Sequence, residues 1–204
     1  RLCRDWSSDV CSSDLLASAH VLFNYLNYSR SKIIFNSMSG KLSVEKKEND
    51  ILALNFPSLK PELILPVDEI SKGLGAVPKE FLKSIDYFLV FENEEEILSI
   101  NPDFNILKNI PTRGFIVTAK GNNSDFVSRF FAPGAGVNED PVTGSAHSQL
   151  IPYWSEKLNK NDLYAIQLSK RKGELFCSQL NDRVEIAGKS VTYLIGEIEG
   201  LKNL

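Results

Sequence analysis

Residues 129–147 read RFFAPGAGVNEDPVTGSAH. Phe130, Phe131 and Ala132 predict a buried strand. Pro133-Gly134-Ala135-Gly136 predicts a sharp turn, because glycine alone accepts the unusual dihedrals freely. Glu139-Asp140-Pro141 follows, and the proline holds Asp140 extended. After Gly144, Ser145 is placed to cap a helix carrying Ala146, Leu150, Tyr153, Trp154 and Leu158 on one side. A helix start offers unpaired N–H groups and a partial positive charge, which attract an anion. A carboxylate, a hydroxyl and an anion hole therefore meet in one loop, as a small-molecule site requires.

Outward from this loop the chain alternates helices with short apolar strands. A helix is predicted over residues 16–28, with Leu16, Ala19, Phe23 and Leu26 on one face. Strands follow at 32–36, 42–46 and 51–56, the first two joined at Ser39-Gly40. Residues 61–66, bounded by two prolines, form a connector that divides the chain into 16–62 and 63–204. Beyond it come helices at 67–74, 94–99 and 104–110 and strands at 86–91, 114–119 and 126–131. Four strands follow the loop helix, at 163–169, 174–180, 183–187 and 191–198, with Asn181-Asp182 as a hairpin turn. Both parts combine a helix with antiparallel strands. The fold class is α+β, with two similar lobes.

Composition excludes several classes of function. A net charge of −3, with no basic run, argues against nucleic acid. No apolar segment reaches the length of a membrane span, and no apolar leader opens the chain. Cys3 and Cys11 lie in the anomalous N-terminal stretch, which leaves Cys177 alone; a reducing, cytoplasmic setting is expected. His20 and His147 stand far apart with no Cys/His cluster, so no metal site is expected. Gly134 and Gly136 make no dinucleotide fingerprint, and no cofactor is implied.

The loop resembles the signature of the phenazine-biosynthesis-type, or PhzF-like, isomerases. The collinear stretches LASAH at 16–20, SGKL at 39–42, FP at 56–57 and the tail at 168–198 extend that likeness over residues 16–200. The resemblance implies a diaminopimelate-epimerase-like fold with the site between two lobes. It also implies a cofactor-independent isomerase moving a proton on a small carboxylated substrate, and a homodimer. Asp140 and Ser145 are the expected catalytic residues, with Gly144, Ser145, Gly136 and Glu139 against the substrate.

Residues 5–15, DWSSDVCSSDL, have no helical or strand period and read, back-translated, as a sequencing-library adaptor. Residues 1–15 are therefore expected to contribute no structure. The resemblance places a Gly-His-Ala-Thr stretch at Ser12 to Leu15, so its histidine falls on Ser13, and a catalytic glutamate further upstream. On that reading the first lobe is incomplete and the chain lacks its principal acid/base.

Each residue also has a plainer role. Asp140 can close an Asx turn and Ser145 can serve only as a cap. His147 and His20 fit packed, hydrogen-bonded positions, Arg129 fits an exposed strand as well as an anion contact, and Cys177 needs only packing. The two-thiol racemases and epimerases of the same fold are disfavoured, because Asp140 stands where their second cysteine would fall. A non-catalytic small-molecule-binding homologue is the other class left open.

Overall fold

The computed structural model describes residues 12–37 and 40–196. Helix α1 spans Ser12–Asn24, and strands β1 (Lys32–Ser37), β2 (Gly40–Lys46) and β3 (Ile51–Pro57) follow. Next come β4 (Glu62–Leu63), α2 (Asp68–Leu74), β5 (Glu80–Lys83), β6 (Tyr87–Val90), α3 (Glu94–Ser99) and α4 (Phe104–Leu107). Strands β7 (Phe115–Lys120) and β8 (Phe126–Phe131) lead to α5 (Gly144–Leu158), and β9 (Asp162–Gln167), β10 (Gly173–Leu180) and β11 (Arg183–Lys189) end the described order.

The strands join one sheet, in the order β1-β2-β3-β11-β10-β9-β8-β7-β6-β5-β4. Alternation along the central strands divides their side chains between two cores. Phe88, Ile116, Phe126 and Phe130 enter the core that α1 and α5 cover. Leu89, Phe115, Val117, Val127 and Phe131 enter the other, shared with Ile70, Leu74, Ile97 and Leu107 of α2 to α4. Both faces of β7 are thus covered, and residues 115–119 are buried without a break, as an apolar run predicts.

The α+β class is observed, with structural differences in detail. Strands β6 and β7 are parallel, as are β8 and β9. Helices α3 and α4 separate the first pair and α5 the second, the long crossovers that parallel pairing needs. Helix α1 begins at Ser12 and buries Leu15 to 2% exposure, so the last residues of the stretch expected to be structureless are folded. Ala19 is buried as expected, but Leu26 lies beyond the helix and is exposed. The proposed connector contains β4, paired with β5, both too short to carry a period. No strand forms over residues 191–196, where Tyr193 and Ile195 are exposed; the rest of that predicted strand and Ser39 of the predicted turn lie outside the described residues. Across the connector, β11 pairs with β3 from Arg183 opposite Pro57 to Lys189 opposite Ile51. Leu15, Leu42, Leu54, Leu150 and Ile186 share one core, so the chain on either side of residues 61–66 packs together.

Candidate functional site

The N-terminal turns of α1 and α5 border one cavity of about 560 Å³, through Ser13 and Gly144. Leu16, Leu54, Phe56, Val142, Leu175 and Ile186 give it apolar walls, and its charged lining is Lys172, Lys189 and one carboxylate, Glu174. Lys172 adopts a left-handed conformation, φ 54°, next to Gly173 at the start of β10. A Cβ on Gly173 would collide with Val142 Cγ2, so glycine lets the turn pack against the loop that precedes α5. The cavity suits a ligand with an anionic end and an apolar body.

The loop from Gly136 to Thr143 is fastened from several sides. Arg129 donates from Nε and Nη2 to the Glu139 carboxylate at 2.8 and 3.1 Å, and from Nη1 to the Ile97 and Ile100 carbonyls. Asp140 N donates to the Phe130 carbonyl at 3.0 Å. Gln167 Nε2 donates to the Asp140 carbonyl at 2.7 Å, while its Oε1 accepts from Thr143 N at 2.8 Å. Ser169 Oγ donates to the Pro141 carbonyl at 2.8 Å. A segment that joins no helix or named strand is thereby fixed at both its backbone and its side chains.

Asp140 receives a hydrogen bond from Thr143 Oγ1 at 2.6 Å, closing the turn across the proline. Burial pushes its carboxyl above the ordinary carboxylate range, against the pull of the Thr143 hydroxyl, Arg171 and Arg113. Ser145 is not the cap: Thr143 holds the N-cap position without a side-chain cap bond, and Ser145 is the second helical residue. Its Oγ accepts instead from Arg113 Nη1 at 3.0 Å. Arg113 is gripped in turn by Asp86, wholly buried, through Nε to Oδ1 at 2.8 Å and through Nη2 to Oδ2. Gln149, one turn further along α5, donates to the same Asp86 Oδ2 at 2.7 Å.

Of the residues expected from the sequence, Gly144 lines the cavity, while Asp140 and Ser145 flank it in the chain and lie outside that lining. Gly136 ends a 3-10 turn, exposed, at φ 82°. Glu139 is occupied by Arg129, which settles Arg129 as an anchor. His147 is fully buried, with Nδ1 2.8 Å from the Thr143 carbonyl, and burial pushes it down to about 4. His20 lies 2.8 Å from Thr192 Oγ1. Cys177 is a free buried thiol whose pKa burial raises. Asp86, Arg113, Gln149 and Gln167 were not anticipated. Among the described residues no three His, Cys, Asp or Glu side chains gather as metal ligands, and no helix is long and apolar enough to cross a membrane.

Comparison with known proteins matches residues 8–196 to the family model described as phenazine biosynthesis-like protein. An uncharacterised isomerase of Pseudomonas aeruginosa is 44% identical over 190 residues, 93% of this chain and 73% of that protein. The crystal structure of a PhzF family phenazine biosynthesis protein from Enterococcus faecalis superposes with a TM-score of 0.85 at 44% identity, covering 89% of this chain and 70% of that one. A PhzC/PhzF protein structure from Clostridium difficile gives 0.87 at 38% identity, covering 94% and 74%.

Proposed function

We propose that this chain, which belongs to the phenazine biosynthesis-like protein family, is an isomerase that moves a proton on a small carboxylated substrate. The observation that carries the reading is the cavity whose wall includes Gly144, at the start of α5 and four residues after a carboxyl whose pKa is raised. The helix start, with Lys172 and Lys189, receives the substrate carboxylate. The apolar walls take the rest of the molecule. Asp140, in place of the glutamate that the resemblance puts upstream, takes a proton from carbon and returns it elsewhere, and burial moves its pKa towards the working range of a general base. Ser145 donates a hydrogen bond to the charge that develops on the substrate.

A second reading, binding without turnover, is favoured by one residue. Ser13 stands at the cavity, where the resemblance puts a histidine, and a serine hydroxyl does not change its protonation state near neutral pH as a histidine does. Incubating the chain with a panel of small cyclic and open-chain carboxylates in deuterated water distinguishes the two. The isomerase reading expects deuterium at a substrate carbon, followed by NMR, and a roughly hundred- to ten-thousand-fold loss in Asp140→Asn with affinity nearly unchanged. A carboxylate that binds without exchange leaves the binding reading standing and removes the isomerase.

A further inference from the structure

We infer that Arg113, locked by the buried Asp86, is a positioning residue that sets the direction of the Ser145 hydroxyl. The inference rests on the carboxylate-site reading for its consequence and on geometry for its substance. Arg113 Nη1 lies 3.0 Å from Ser145 Oγ, and the guanidinium has little freedom to leave. Its Nε and Nη2 both end on the Asp86 carboxylate, a forked contact with a fixed plane. Asp86 is itself held twice by Gln149: Nε2 donates to Oδ2 at 2.7 Å, and the Asp86 N–H donates to Oε1 at 3.3 Å. Ser145 and Gln149 are four residues apart on α5, on one face of the helix. The residue before β6, the turn before β7 and the first two turns of α5 thus close a ring of hydrogen bonds around the start of the helix.

The chemistry follows from which atom donates. A guanidinium has donors only, so Ser145 Oγ spends a lone pair on Arg113 and its own O–H turns away. The hydroxyl is then left to donate to a different partner, and the neighbouring cation polarises it. Much of the positive charge of Arg113 is matched by Asp86; its direct pull on Asp140 comes last among the contributions there, and on a substrate anion it acts through the serine. Arg113 is 29% exposed on its side chain while Asp86 is 0% exposed, so the anchor lies inside and the arm reaches out.

The variant to test is Arg113→Lys, which keeps a cation for Asp86 but cannot fork to Asp86 and Ser145 together. The first measurement needs no ligand: three-bond Hα–Hβ couplings of Ser145 report its χ1. The parent is expected to show one rotamer and the variant an average; an unchanged single rotamer in the variant overturns the inference. The second is benzoate affinity by NMR titration in four proteins: parent, Arg113→Lys, Ser145→Ala and the double variant. Arg113→Lys is expected to weaken benzoate about fivefold in the parent, the size of one lost hydrogen bond, and to do nothing more once Ser145 is alanine. Equal weakening in both backgrounds makes Arg113 a direct ligand and overturns the inference. If the parent takes up no benzoate, the carboxylate-site reading fails while the couplings still decide the role of Arg113. Should Arg113→Lys not fold, the charge-neutral pair Asp86→Asn with Arg113→Gln removes the forked anchor without stranding a buried charge, and the same couplings are read on it.

Discussion

His147 shows how the fold sets the charge of a single residue. Its ring is wholly buried, Nδ1 meets the Thr143 carbonyl, and Nε2 has no hydrogen-bond partner among the described residues. Burial pushes its pKa down from 6.5 to about 4, so as the pH falls the unfolded chain takes up this proton first. The stability His147 contributes is complete above about 6.5 and is lost progressively as the pH falls towards 4. Between pH 7 and pH 5 the loss from this group is about 2 kcal/mol. Asp140 has the opposite sign: its pKa is raised from 3.8, so its contribution is present at low pH and lost as the pH rises. Urea unfolding at the two pH values should show the decline in the parent and a clearly smaller one in His147→Gln. Equal declines would assign the proton to another group. Asp140, Gly144 and Ser145 could be singled out in the sequence because they are neighbours in one stretch. Arg113 and Asp86 could not, because 27 residues separate them, and Gln149 lies 63 from Asp86. No local pattern joins residues that only tertiary packing brings together.

Helix α5 was the easiest element to read, and it contains the least expected residue. Ala146, Leu150, Tyr153 and Trp154 are buried and Leu158 is half-buried, but burial extends all round the helix, from Ala146 to Ser155. Trp154 stacks on Phe126 at 5.8 Å and donates from Nε1 to Thr118 Oγ1 at 2.9 Å. Trp154→Ala should therefore cost about 3–5 kcal/mol in urea unfolding, the range for a large buried aromatic. A loss below about 1 kcal/mol would mean that the core closes over the gap. Pro152 sits inside this helix and has no N–H for the Ser148 carbonyl. Leu59 N, from the segment after β3, donates to that carbonyl at 2.9 Å. Pro152→Ala should then stabilise by clearly less than the roughly 3 kcal/mol of an ordinary helix interior, because the freed carbonyl already has a partner. A full gain would leave the Leu59 bond without energetic weight. Strand β7 was legible for a different reason, since an unbroken apolar run needs cover on both faces. Strands β4 and β5 are two and four residues long and leave no period to find. Over residues 191–196 the apolar residues suggest a strand, but Val191 and Tyr193 are exposed and pair with no ladder.

In the whole molecule, the β3–β11 ladder and the core shared by α1, α5 and the sheet tie the first third of the chain to the last. Hydrophobic period is a local signal and does not reveal the pairing of residues 51–57 with 183–189, which spans most of the chain. Loss of far-UV circular dichroism in urea and exposure of Cys177 to a thiol reagent, read by peptide mass, should share one midpoint. Two midpoints would mean that the parts on either side of residues 61–66 come apart separately. The carbonyl released by Pro152 has a further bearing on motion. Leu59 belongs to a stretch outside the regular elements, where backbone amides ordinarily open on their own within moments. Because its N–H is bonded to the middle of α5, that amide opens only when the helix and the segment after β3 part. A proline that interrupts the helix thus gives that segment the slow clock of the core, and Leu59 becomes the amide whose opening marks its release from α5.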